Sequence, residues 1–430
     1  MFIKFVTLLI LALTLQLVAR GYAACATEPD IDGHINLIEG TSVADNAYSG
    51  CSSLKSVSID GSITAIGVSA FSNCTSLSSV SFGSNSKLET IGEKAFLGPN
   101  QLTSITILDS VKNIGNEAFS QCGLLDTVVI TEQSVLESIG MGAFDSTQIN
   151  SIDLPPTLQS IGSSAFYDTL LSTVSIPGDG ALTSIGNSAF QKTPLVSISF
   201  NTNLETIGNY AFNLCSNLTT VSFPSDSKLQ SVGVSAFASG GVTSIVFPQS
   251  LTTLEAFAFK ECKNLGSATF AVGNKIKVIG SGAFQGTALS NLVIESPELI
   301  TIGPNAFYQA SELSNLKIGC DAKVTIMHDA LTGTAMSSIA LNGESSCEDC
   351  GVSVTKLDCP SGKVSTNAAP NPMNATVIGV AVFGGITLLA AAYYFVFYKR
   401  SHQGEGNLAA AELSGIMNPV QPHEDNTSAF

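Results

Sequence analysis

Four cysteines fall close together late in the chain, Cys320, Cys347, Cys350 and Cys359, and Cys347-x-x-Cys350 has the spacing of a zinc site or a dithiol redox pair. A disulfide cap is the third chemistry open to them, and in an exported chain it is the expected one. Histidine is scarce. Only His34 and His328 precede the apolar run near the C-terminus, and neither has a Cys, Asp or Glu cluster at metal-ligand spacing. There is no G-x-S-x-G, no H-E-x-x-H and no P-loop, so neither an enzyme nor a bound cofactor or metal is expected.

The other cysteines are placed by a repeat. Its unit is the stretch Leu182–Phe200, with the core Ile185-Gly186-x-x-Ala189-Phe190. The same aromatic place recurs at Phe71, Phe96, Phe119, Phe144, Phe166, Phe190, Phe212, Phe237, Phe259, Phe284 and Phe307, with worn copies at Tyr48 and Leu331. The marker spacings are 23, 25, 23, 25, 22, 24, 22, 25, 22, 25, 23 and 24 residues, a period that belongs to a solenoid. After each marker comes apolar-x-x-apolar-x-apolar, as in Leu195-Ile198-Phe200, and its period-2 end reads as a short strand with apolar side chains inward. The Gly after Ile is expected to allow a tight or left-handed backbone, and Phe to supply apolar surface that only a neighbouring copy can cover. Strands stacked about 4.8 Å apart make 13 copies roughly 60 Å long.

This pattern, L-x-x-V-x-I and then L-x-x-I-G-x-x-A-F-x-x-C-x-x-L, resembles the BspA-like (treponemal type) leucine-rich repeat over residues 43–341. The resemblance implies a β-rich, right-handed leucine-rich repeat solenoid of about 13 coils with a parallel sheet. It also implies a cell-surface protein, since relatives of this kind are associated with adhesion to host proteins or cells.

Register then sorts the thiols. Cys51, Cys74, Cys122, Cys215 and Cys262 each lie three residues after a marker, and equivalent places two coils apart are about 10 Å distant, beyond disulfide reach. The disulfide candidates are therefore Cys25, Cys51 and Cys74 at the front and Cys320, Cys347, Cys350 and Cys359 behind. One front bond, two rear bonds and four buried free thiols are expected.

Residues 1–23 carry Lys4, an apolar run and Gly21-Tyr22-Ala23, and read as a signal peptide. A Cys-bearing N-terminal cap (24–42), the repeats (43–341) and a Cys-rich C-terminal cap (342–359) follow. Residues 360–375, rich in Pro, Ser and Asn, read as a stalk. Residues 376–398 are uncharged and are followed by Lys399-Arg400, the pattern of a transmembrane helix with a stop-transfer flank. The cytoplasmic tail (399–430) holds no recognisable signalling unit, so any signalling needs a cytosolic partner. Its Ser428-Ala429-Phe430 is either a carboxylate-capture motif or a disordered end. The expected topology is single-pass type I at the plasma membrane, repeats outside. Sequons at Asn73, Asn217 and Asn374 then face the lumen, and the one at Asn426 the cytosol.

Net charge is −16, with no Arg between the leader and the tail. Nucleic acid and anionic lipid surfaces are disfavoured as partners, because both need basic patches. The binding candidate is the outer face of the strands, where one column stays short and polar through Ser104, Thr127, Ser151, Thr173, Ser197, Thr220 and Ser244. With no Trp and no Arg on it, weak contact with an extracellular protein or glycan surface, multiplied over many copies of the protein, is expected. Adhesion or recognition is the leading reading; a ligand-sensing receptor and a structural surface coat are the alternatives.

Overall fold

The computed structural model describes residues 25–38 and 40–356. The expected signal peptide, stalk, transmembrane helix and tail, with Cys359, Asn374 and Asn426, lie outside the described residues. Among the described residues every regular element is a strand. Each coil contributes two, a two-residue strand before its marker and a strand of three or four residues after it. Fourteen of the short strands, from Ser42–Val43 to Ser346–Cys347, form one parallel sheet. The repeat thus extends beyond the 13 copies read from sequence. His34–Leu37 pairs with Ser56–Ile59 at one end and Ser353–Lys356 with Ser338–Leu341 at the other.

The markers form a ladder. Twelve rings from Tyr48 to Phe307 stack with centroids 5.1–5.6 Å apart and planes within 11°. The eleven Phe markers are fully buried, and each is covered by its neighbours above and below.

The glycine of the Ile-Gly pair serves closeness, not handedness, which corrects the sequence expectation. A Cβ on Gly186 would lie 2.5 Å from Ser163 N and 2.6 Å from Gly162 C in the coil before, and the backbone there is not left-handed. The left-handed residues stand two before and two after each marker, as Ser188 (φ 56°) and Lys192 (φ 63°) do around Phe190. Each is the third residue of a turn, Ala189 N–H donating to Gly186 O and Thr193 N–H to Phe190 O, where positive φ is needed. The strain is offset because the same residues donate to the next coil, Ser188 N to Asn209 O and Lys192 N to Asn213 O.

In most coils a Thr or Cys three residues past the marker donates to the buried carbonyl of a marker, its own or the preceding one. Thr193 Oγ1 donates to Phe190 O at 2.8 Å from the same coil, and Cys215 Sγ donates to it at 3.1 Å from the next. Cys74, Cys122 and Cys262 donate in the same way to Tyr48 O, Phe96 O and Phe237 O. These four are free and buried. Cys25 is bonded to Cys51 and Cys347 to Cys350, and Cys320 is disulfide-bonded as well.

Burial pushes the thiols of Cys74, Cys122 and Cys262 up to about 12 and that of Cys215 to about 11, from an ordinary 9.0. A raised value in the folded state means stability present below the unfolded value and lost as pH climbs through the folded one. Unfolding free energy should therefore fall between pH 9 and about 12 more steeply than in a variant with all four thiols changed to Ala. Iodoacetamide at about pH 8 should label none of them before denaturation and all four after it. Labelling of the native chain would contradict the burial.

The longer strands do not form one sheet. They group as 34–37, 56–59 and 79–82; 104–107 with 127–130; 151–153 with 173–175; 197–199, 220–222, 244–247 and 267–270; and 291–294 with 315–318. The 220–222 and 244–247 strands share only the pair Thr220–Ser244. The openings follow the alternation of coil length. Loops 83–87, 131–135, 177–181, 224–228 and 271–275 are longer than those of the coils between, and each follows a strand beyond which pairing is lost or thinned, whereas the opening after 315–318 stands beside a loop no longer than that of the coil before it. The two stacks of strand-end rings, Phe200–Phe223 at 5.1 Å and Phe247–Phe270 at 4.8 Å, also lie within pairs.

Candidate recognition face

Alternation along the longer strands sends Ile198 inward and Ser197 and Ser199 outward. Register carries this from coil to coil: Ser104 pairs Thr127, Ser151 pairs Thr173, Ser197 pairs Thr220, and Thr220 pairs Ser244. All seven residues of the candidate column are exposed. The column is stepped at the openings, where the sequence suggested an unbroken row. Hydroxyls bridge strands inside the pairs, Ser58 to Ser81 at 3.0 Å and Ser222 to Ser199 at 2.8 Å. The neighbouring outward column carries exposed Val129 and Val246 among its polar residues.

His34 ends this face. Its Nδ1 lies 2.8 Å from Ser56 Oγ and its Nε2 3.3 Å from Ser58 Oγ. Both ring nitrogens are occupied by hydroxyls, and the nearby Asp30 carboxylate accepts the backbone N–H of His34, not the ring. That amide is the main reason the Asp30 carboxyl sits below its ordinary value. A serine activated for attack needs a base oriented by an acid, so this cluster tethers the first strand. His328 has an exposed side chain, and only its backbone carbonyl enters the ladder, accepting from Asn305 N–H. Its place in the repeat is therefore structural through the backbone. Among the described residues no group of three His, Cys, Asp or Glu could hold a metal ion.

One place on the face departs from the repeat. At the opening between Ser267–Phe270 and Asn291–Ile294 lies a groove of about 310 Å³. Its floor is Ala268, where the preceding coils have Ile245 and Val221, and Gly266 stands where they have Thr243 and Thr219. Asn274 lines it too, at a place that Ser134 and Ser227 hold in other long coils. Those serines accept a backbone N–H from two residues on, whereas Asn274 Oδ1 is buried with no partner. The sequence reading missed this groove because it followed what the copies share, and the groove is made by what one copy lacks.

The BspA type leucine rich repeat region matches the chain in six copies, over residues 41–137, 137–266 and 230–351. The chain belongs to this family. No curated protein matches it. Among solved structures, a leucine-rich repeat protein from Bacteroides ovatus shares 25% identity and a TM-score of 0.55, over 77% of this chain and 84% of that one. The pneumococcal vaccine antigen PcpA is 20% identical at a TM-score of 0.43, over 77% and 91%. A leucine rich cell surface protein from Faecalibacterium prausnitzii is 21% identical at 0.33, over 66% and 87%. Leucine-rich repeat proteins of this kind are typically non-enzymatic and bind other proteins or surfaces.

Proposed function

We propose that the protein is a membrane-anchored cell-surface adhesion or recognition protein that engages an extracellular protein or glycan surface with the outer face of its longer strands. The observation that carries this reading is the exposed row of short polar side chains from Ser104 to Ser244, held in register within each strand group and stepped between groups. Such a row offers many weak hydrogen bonds and no deep anchor, which suits contact multiplied over many copies of the protein. Anchoring rests on the apolar run 376–398 with Lys399-Arg400 behind it. No helix among the described residues is long and apolar enough to cross a membrane.

The test of function is exchange of the tail after Arg400 for an unrelated sequence in cells displaying the chain. Adhesion should survive the exchange, whereas a response of the cell to bound ligand, the mark of a signalling receptor, should not. Substituting Lys at Ser151, Ser197 and Ser244 together should abolish adhesion if the outer face is the contact. Topology has its own readout. Asn73 and Asn217 are exposed, so glycan is expected there and not at Asn426. Glycan at Asn426 would reverse the orientation.

A further inference from the structure

We propose that the groove between Ser267–Phe270 and Asn291–Ile294 is a saccharide subsite that receives one pyranose ring of a neutral glycan, with Asn274 as its buried acceptor. This rests on the reading of the strand face as a recognition surface and names the ligand class for one place on it. Three residues that the fold does not require converge there. Gly266 and Ala268 remove side chains that other coils carry, which opens the volume, and Asn274 brings an amide oxygen that nothing in the chain satisfies. A buried acceptor without a donor is unfavourable, so a donor brought by a ligand gains more here than at an exposed hydroxyl.

The lining selects the chemistry. Its one carboxylate, Glu295, is neutralised by Lys317 at 3.3 Å, and no basic side chain lines the groove, so anions find no partner. Ser267, Thr269 and Asn291 offer hydroxyl and amide groups on the two walls, while Phe270 and Val293 offer apolar surface. A sugar ring presents both in one rigid unit, hydroxyls around an edge and C–H groups on a face. The groove is at the small end of ligand pockets, the size for a ring rather than a folded element. A peptide added as a strand needs one free sheet edge, and here two edges face each other across the opening.

The test uses the full chain with methyl hexopyranosides and methyl N-acetylhexosaminides, read by saturation-transfer NMR, and short extended peptides beside them. At least one glycoside should give a signal that Ala268→Val abolishes and whose Kd Asn274→Ser raises about tenfold. Both changes install residue types that other coils carry at these places, so the fold is kept, and circular dichroism checks it. No glycoside signal, a signal unchanged by Ala268→Val, or binding of peptides alone would each overturn the subsite. Cell adhesion measured in parallel separates the two readings. Adhesion without glycoside binding removes the subsite and leaves the adhesive face. Glycoside binding lost in Ala268→Val without adhesion supports the subsite and removes the adhesive face.

Discussion

Phe190→Ala should lower the unfolding free energy of residues 24–370 by about 3–5 kcal/mol, the range for emptying a buried aromatic site. The ring is fully buried, with Phe166 at 5.3 Å on one side and Phe212 at 5.2 Å on the other, and these neighbours are held by their own coils and cannot close the gap. Tyr48→Ala should cost less. Its ring stacks on one other ring only, Phe71 at 5.4 Å, and its hydroxyl shares a hydrogen bond with Thr27 of the leading segment at 3.1 Å. Urea unfolding of the two variants checks the order, and a larger loss for Tyr48→Ala would contradict a stack held by nearest neighbours.

Changing Cys25 and Cys51 to Ser should remove about 2–4 kcal/mol from the front of the stack. The bond spans 26 residues and encloses the strand His34–Leu37, which is paired on one side only. Because each coil leans on the next, the loss should be local. Amides of residues 34–59 should exchange faster in hydrogen exchange, and those of 190–245 should keep their protection. A uniform loss along the chain would show that the solenoid unfolds as one unit.

Most of the fold was legible because its core positions cannot vary. Phe190, Ala189 and Ile185 must meet their own kind above and below, so they recur and can be counted. The left-handed positions were not legible, since Ser188, Lys192, Tyr210 and Leu214 share a backbone conformation and nothing in side-chain type. Gly186 was legible as a requirement but misleading as to cause, because closeness to another coil leaves no local trace in sequence. The openings of the strand face were present in the marker spacings as an alternation of longer and shorter copies, but their effect depends on which loop takes the extra residues. The groove at Asn274 could have been found by asking where a copy departs from its neighbours without damage to the core, as Gly266 and Ala268 do.

The alternation also fixes how such a chain can grow. Inserting or losing a single coil would set two long loops, or two short ones, side by side and would put a strand pair out of phase with its neighbours. Adding or deleting two coils together preserves the pairing everywhere. Length variants of this protein that remain folded should therefore differ by even numbers of coils, with crossover points in the shared Ile-Gly turn.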